Sequence, residues 1–289
     1  MLRQQGIALI QVLIITAILT VIALFISQTA KQQVQIAHLA MDKSYSEVLL
    51  HSSQNSVLFS LLTSPWQQGK FDEEQLKQGV NLYNKPFAVG DFVKVKLQDQ
   101  AGLINLYYSK PGVIEKRLKV EGVSDVDAKR ISSSLFDWID RDQYSRPYGS
   151  ESGSYIRNGI MPDKREWMLV ESMTQDLFDN ISEDFSIFGA SHMNLMTSSK
   201  MVIMALSNES VAEQVVQLRN AGRLSRKELS GLMQLNEDSD FFFAPTNILQ
   251  LTVVASYGDS EVIKSYIVEL FPYSRGTQSP YNIIKNMGG

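Results

Sequence analysis

Residues 7–26 read IALIQVLIITAILTVIALFI, a run of twenty uncharged residues that is interrupted only by Gln11, Thr16 and Thr20. A helix rises about 1.5 Å per residue and the hydrocarbon core of a bilayer is about 30 Å thick, so a run of this length can span a membrane. The run is longer than the core of an ordinary signal peptide, and no small-residue cleavage site follows it. We therefore predict a membrane-spanning helix over residues 7–30.

The charges around this run predict its orientation. Arg3 is the only basic side chain before it, and Lys31 is the first charged residue after it. Together with the terminal amine, Arg3 favours a cytoplasmic N-terminus. We expect a single-pass membrane protein whose chain beyond Lys31 is exported from the cytoplasm.

The helical pattern continues beyond the membrane. Apolar residues recur at spacings of three and four between Val34 and Leu62, and no proline occurs before Pro65. The pattern predicts one helix from Ile7 to about Leu62. A signal anchor followed by a separate helix is the alternative.

The rest of the chain predicts strands on both sides of a helical middle. Alternating residues indicate one β-hairpin over residues 92–97 and 103–106, and a second over residues 248–256 and 262–270. In the middle, a helix is predicted over residues 166–178, and serine caps predict helices that begin at Ser124, at Ser198-Ser199, at Ser210 and at Ser225.

Composition narrows the classes of function. The 289-residue chain has 27 Lys and Arg against 31 Asp and Glu, so its net charge of −4 offers nucleic acid no basic surface. It contains no cysteine, which excludes disulfides, thiolate metal sites and cysteine nucleophiles. The glycine motifs of nucleotide-binding enzymes and the lipase-type serine motif are also absent. We predict a structural or binding protein rather than an enzyme.

An acidic loop is the one candidate metal site. Asp140 and Asp142 follow a predicted helix, and the loop after them reaches Glu151. Carboxylates and carbonyls on irregular backbone are the ligands that Ca²⁺ requires. The sequence predicts Asp140, Asp142 and Glu151 as ligands for Ca²⁺, with ion pairs to Arg141 and Arg146 as the alternative.

The N-terminus resembles a type IV prepilin signal, because a short leader ending in Gly6 directly precedes the apolar run. The resemblance implies that a prepilin peptidase cleaves between Gly6 and Ile7 and that the new N-terminus at Ile7 is methylated. Gln11 stands at the fifth mature position, where this family normally has glutamate. The neutral side chain implies a subunit that needs no charge partner in the membrane.

Further motifs extend the resemblance over most of the chain. Asn105-Leu106, the loop from Asp137 to Asp142 and the segment from Met193 to Thr197, in this order, resemble the K-type minor pseudopilins of type II secretion. This family implies an α+β fold, in which a pilin-like N-terminal helix packs on an antiparallel sheet and a large all-helical domain of helix-hairpin-helix or SAM-like type is inserted. The implied division is a leader (1–6), a membrane part (7–30), a pilin-like domain (31–112 and 241–289) and the inserted domain (113–240).

The resemblance also implies a function. Such a protein is a non-enzymatic subunit at the tip of a periplasmic pseudopilus that supports protein export across the outer membrane. Its partners would be the I-type and J-type minor pseudopilins, the prepilin peptidase and the inner-membrane secretion platform. The alternatives are a minor type IV pilin and a signal-anchored periplasmic enzyme or ligand-binding domain.

Overall fold

The computed structural model describes residues 5–66, 71, 79–151, 156–272 and 274–287, with side chains from residue 8 onward. The predicted leader therefore lies outside the described residues, except for the backbone of residues 5 and 6. Residues 152–155, which directly follow Glu151, also lie outside them.

A single long helix forms the N-terminal part of the chain. Helix α1 spans Gln5–Thr63, which is 59 residues and about 88 Å at the standard rise. It is long and apolar enough to cross a membrane. The prediction of one continuous helix is confirmed, and the alternative of an anchor followed by a separate helix is wrong.

The second half of α1 packs on a sheet through a narrow face. Asp42, Ser46, Leu50, Val57 and Leu61 are buried, and their spacings of four and seven place them on one side of a helix. The residues between them are mostly exposed. This face attaches the second half of α1 to the folded domain.

Helix α1 packs on an antiparallel sheet. Its strands are β1 Phe87–Ala88, β2 Val93–Asp99, β5 Ile248–Tyr257, β6 Ser260–Leu270 and β7 Tyr281–Asn286, in the order β1-β2-β5-β6-β7. Two short strands, β3 Ile104–Asn105 and β4 Phe185–Ser186, form a separate parallel pair. Alternate residues of β2 and β5 are buried against α1, as in a sheet with one covered face.

The hairpin predicted near the C-terminus is confirmed. Strands β5 and β6 pair from Ile248 with Glu269 to Tyr257 with Ser260, and Gly258 and Asp259 form the turn. Gly258 has φ +55°, and a Cβ atom there would lie 2.3 Å from Oδ2 of Asp42 on α1. The turn therefore requires glycine for both its conformation and its approach to α1.

The hairpin predicted over residues 92–106 is wrong. Strand β2 pairs with β1 and β5 instead, and β3 pairs with β4. The reason is Asp99, whose side chain accepts a hydrogen bond from the backbone N–H of Ala101 and caps a 3₁₀ turn over Gln100–Gly102. This turn sends the chain out of the sheet, so residues 104 and 105 begin a second module.

That second module is mostly helical. Its α-helices are α2 Pro111–Val120, α3 Asp125–Ile139, α4 Gln175–Ile181, α5 Lys200–Leu206, α6 Glu209–Asn220 and α7 Arg226–Met233. Ser124, Ser199 and Ser225 cap α3, α5 and α7 through their side chains, as predicted. Helix α6 begins earlier than predicted because Asn208, rather than Ser210, caps it.

The single helix predicted over residues 166–178 is wrong. A 3₁₀ segment, Lys164–Leu169, is followed by a separate helix α4. Ser172 between them has φ +67°, and the Thr174 side chain accepts from the N–H of Leu177 to begin α4. A strong cap inside an apolar stripe divided the helix that periodicity alone predicted.

The two modules have separate apolar cores. One lies between α1 and the sheet around Leu50, Leu97 and Leu251. The other lies among the helices and includes Ile104, Leu106 and Phe243, which fall outside the range 113–240 predicted for the insertion. The architecture is α+β, with a long helix packed on an antiparallel sheet and a helical module beside it, as predicted.

Candidate functional site

Three carboxylates meet where helix α3 ends. Asp137 lies in the last turn and is fully buried, Asp140 is the C-cap residue, and Glu151 comes from the following loop. One oxygen of each lies within 4.8 Å of the other two. The C-terminus of a helix carries partial negative charge, so this position disfavours a cluster of acids unless a cation joins it.

Arg146 supplies one positive charge to this cluster. Its Nη1 lies 2.8 Å from Oδ1 of Asp137 and also bonds Oδ2 of Asp140. Its backbone N–H donates to both oxygens of Asp137, at 3.2 and 3.1 Å. Arg146 therefore satisfies most of the hydrogen-bonding capacity of the Asp137 carboxylate and holds the loop against the helix end.

The rest of the cluster is not compensated. Oδ1 of Asp140 and Oε1 of Glu151 are shielded from solvent and have no hydrogen-bond partner among the described residues. Burial raises the pKa of Glu151, and the nearby charges of Asp140, Asp137 and Asp142 raise it further. Three carboxylates against one guanidinium leave two excess negative charges when all are ionised. Hard oxygen donors with excess negative charge fit Ca²⁺.

Gly149 allows the loop to close on this site. A Cβ atom at residue 149 would lie 2.0 Å from Oδ2 of Asp137 and 3.2 Å from the carbonyl oxygen of Arg146. Both neighbours are held by the hydrogen bonds of Arg146, so neither can move away easily. Glycine is therefore the residue that fits here.

The structure brings together two of the three predicted ligands. Asp140 and Glu151 belong to the cluster, whereas Asp142 is exposed and accepts a hydrogen bond from the N–H of Tyr144, 2.9 Å away, in a local turn. The third member of the cluster is Asp137, which was not among the predicted ligands. The three-residue spacing of Asp137 and Asp140 at a helix end, which puts both on one face, is the signal that could have found it.

The predicted processing residues lie at the beginning of α1. Gly6 and Ile7 have helical backbone, and the side chain of Ile7 lies outside the described part of the structure. Further along α1, beyond the predicted membrane part, large apolar side chains are exposed: Val34, Ile36, Leu39, Met41, Tyr45, Val48 and Phe59. Three of them, Val34, Met41 and Val48, are spaced seven residues apart and lie on one side of α1.

Comparison with known proteins adds one finding at the level of structure. Neither a protein-family model nor a curated protein sequence matches the chain. Among solved structures it is similar to a chain of the GspK-GspI-GspJ complex from the type 2 secretion system of enterotoxigenic Escherichia coli, with a TM-score of 0.56. The two chains share a fold. The match covers 85% of this chain and 97% of that chain at 14% sequence identity. The pilin-like α+β fold that the sequence predicted is thereby confirmed.

Proposed function

We propose that the chain is a K-type minor pseudopilin, a non-enzymatic structural subunit of a type II secretion pseudopilus. The observation that carries this proposal is the fold shared over 97% of a chain of the GspK-GspI-GspJ complex. The shared length is too great for the long helix alone to account for it, because α1 is only 59 of 289 residues. The sheet or the helical module, or both, must contribute.

We place the chain in the inner membrane as a single-pass protein. The first part of α1 is apolar and exposed throughout its described residues, as lipid requires. Arg3 and the terminal amine precede this part and favour a cytoplasmic N-terminus. The sheet and helical module then lie in the periplasm.

The I-type and J-type minor pseudopilins are the proposed partners, at the tip of the pseudopilus. The solved neighbour of this fold is part of a complex with two other Gsp proteins. Val34, Met41 and Val48 are exposed on one side of α1 at spacings of seven residues, and this apolar row is suited to packing against another helix. Assembly at the tip would support protein export across the outer membrane.

Processing is proposed to precede assembly. The prepilin peptidase would cleave between Gly6 and Ile7, and Ile7 would be methylated. A mature chain without the leader would then join the inner-membrane secretion platform. Support for this step comes from the sequence, in which a short leader ending in Gly6 directly precedes the apolar run that begins at Ile7.

Ca²⁺ is the proposed ion of the loop after α3. Asp137, Asp140 and Glu151 would hold it, and its charge would compensate the oxygens of Asp140 and Glu151 that have no partner among the described residues. When bound, the ion would act as a structural cross-link between a helix end and a long loop. Arg146 also bonds Asp137 and Asp140 and so holds the helix end and the near part of the loop together.

Secretion in living cells tests the proposed function. In a bacterium that carries this chain, deletion of its gene should abolish release of the type II substrates into the medium, while the same substrates accumulate in the periplasm. Expression of the full chain should restore release. A variant with Leu50→Asp in the buried face of α1 should not restore it, whereas Glu47→Gln on the exposed face should. Undiminished release in the deletion strain would refute the proposal.

A further inference from the structure

A cavity of about 260 Å³ lies between the sheet and the helical module. Gln250, Ile267 and Lys285 line it from β5, β6 and β7. The helical module contributes Lys164 and the segment Phe185–Phe188, so neither module forms the cavity alone. Its volume is below the range of about 300 to 1,000 Å³ that is usual for cofactor and drug-sized ligands, and is suited to a side chain.

Positive charge predominates in the lining. Lys164, Arg165 and Lys285 line the cavity together with a single carboxylate, Asp163. Burial alone would raise the pKa of Asp163, but hydrogen bonds from Arg165 and Lys285 outweigh it and hold the pKa below its ordinary value. Asp163 is therefore ionised, and it balances only one of the three cations.

Two acidic residues lie outside the lining but close to Lys164. Glu183 and Asp184 both act on Lys164. Asp184 is also bonded to Arg117 at 2.6 Å, and Arg117 is bonded to Glu121 at 3.1 Å. Burial lowers the pKa of Lys164, and its Nζ donates to the carbonyl oxygen of Ser182 at 2.6 Å. A negative group entering the cavity would stabilise the charged form of this lysine.

A buried amide in the lining also lacks an acceptor. Gln100 is 2% exposed, and its Oε1 accepts a hydrogen bond from Oγ of Ser186 at 2.6 Å. Its Nε2 is shielded from solvent and has no partner among the described residues. An N–H group in this situation requires an acceptor oxygen, and a carboxylate supplies one.

The outer strand of the sheet leads to this cavity. Strand β7 is last in the sheet order, so its second edge has no strand neighbour in the described part of the chain. Ile283 and Ile284 on β7 are 47% and 41% exposed. Lys285 follows them and reaches the cavity, where its Nζ lies 2.6 Å from Oδ2 of Asp163. A free strand edge of this kind accepts an extended polypeptide as an additional strand.

We propose that the cavity binds a carboxylate that is carried by an extended polypeptide paired with β7. The backbone of the polypeptide would bond the edge of β7, and one acidic side chain would enter the cavity toward Gln100, Lys164 and Arg165. The cation pattern determines the preference for an acidic residue, and the volume limits the insertion to one side chain. This site follows from the cavity and the strand edge, and it holds whether or not the chain is a pseudopilin.

Two labelled peptides test the proposal with the full chain in detergent micelles. One peptide has the sequence Thr-Val-Glu-Val-Thr with blocked ends, and its partner has Gln in place of Glu. Fluorescence anisotropy should show binding of the Glu peptide and an affinity about tenfold lower for the Gln peptide, which is the scale of one charge-assisted interaction. Arg165→Gln, at an exposed side chain, should remove most of that difference.

Matched controls make the result decisive. Lys227→Gln removes one exposed positive charge on α7, away from the lining, and should leave both affinities unchanged. Equal binding of the two peptides, or no binding of either, would overturn the proposal. Free glutarate that binds as tightly as the Glu peptide would overturn it as well, because the site would then recognise a small acid and not a polypeptide.

Discussion

Asn194 donates a hydrogen bond from Nδ2 to Oδ2 of Asp99 over 2.9 Å, and this bond joins the helical module to the end of strand β2. Thr197 adds a second bond from the helical module at 3.0 Å, and Thr246, just before β5, bonds the other carboxylate oxygen at 2.7 Å. Asp99 is fully buried. Its carboxylate therefore connects the chain where it leaves the sheet and where it returns.

Replacement of Asp99 should loosen both modules at once. Asp99→Ala leaves several buried donors without an acceptor, and the loss of a group bonded in this way costs about 3 kcal/mol or more of the free energy of unfolding. Asp91→Ala, at an exposed turn residue, should cost less than about 0.5 kcal/mol. Urea unfolding of the detergent-solubilised chain measures both values. Equal stability of the two variants would show that the junction does not depend on this carboxylate.

The sequence was a good guide to this fold wherever local signals agree with the final contacts. The uninterrupted helical periodicity gave α1, the side-chain caps gave α3, α5 and α7, and a turn that requires glycine gave the β5–β6 hairpin. Asp99 shows where such reasoning ends. Nothing local distinguishes a hairpin turn from the 3₁₀ turn that it caps, because the choice depends on Asn194 and Thr246, which are distant in sequence.

The candidate metal site shows the same limit. The acidic loop was evident, and two of the three clustered carboxylates were predicted correctly as neighbours, Asp140 and Glu151. The cluster contains Asp137 instead of the predicted Asp142, because the loop turns at Tyr144 and Arg146 bonds back to the helix. Strands β1, β4 and β7 gave no sequence signal on which to predict them, since they are short or exposed and depend on their neighbours for pairing.

The turn at Gly258 gives a second prediction. Gly258→Ala should lower the free energy of unfolding by about 1 to 2 kcal/mol, because an L side chain is strained at positive φ. The added Cβ would also collide with Asp42. Gly231→Ala, inside helix α7 with open space around it, should instead raise stability by about 0.5 to 1 kcal/mol. Urea unfolding distinguishes the two, and a stabilised Gly258→Ala variant would contradict the contact between the hairpin and α1.

A third prediction concerns acid stability. Hydrogen bonds from Lys119 and Lys129 lower the pKa of Asp125, in the first turn of α3, from 3.8 to about 2. A lowered pKa stabilises the folded state above the ordinary pKa, and this contribution is lost as the pH falls from 3.8 toward 2. Asp125→Asn should therefore flatten the decrease in melting temperature over this range, and Asp91→Asn should leave it unchanged. Parallel curves for Asp125→Asn and the parent chain would contradict the prediction.

Calcium binding gives a fourth prediction, with a control inside the same loop. A ligand that binds only the native state adds about 2.7 kcal/mol at a hundredfold excess over its Kd, so Ca²⁺ should raise the melting temperature and a chelator should reverse the rise. Asp137→Asn or Glu151→Gln should abolish most of this response. Asp142→Asn should retain it, because Asp142 lies outside the cluster. Calorimetry without Ca²⁺ uptake, or a response lost only in Asp142→Asn, would refute the proposed site.

The leader gives a fifth prediction. Gly6→Glu places a bulky charged side chain beside the proposed cleavage point, so the leader should remain attached. The intact mass of the purified chain reports this directly, and Gln5→Ser serves as a matched control that should be cleaved normally. Normal maturation of Gly6→Glu would exclude processing at this position.

The central claim is that the chain is a minor pseudopilin that assembles with I-type and J-type subunits. Native mass spectrometry of the full chain, co-expressed with the I-type and J-type pseudopilins of the same cell and extracted in detergent, tests it most directly. The account predicts a complex that contains one copy of each of the three chains. A spectrum in which this chain occurs only alone or as a long homopolymer, while the other two proteins are present and folded, would contradict it.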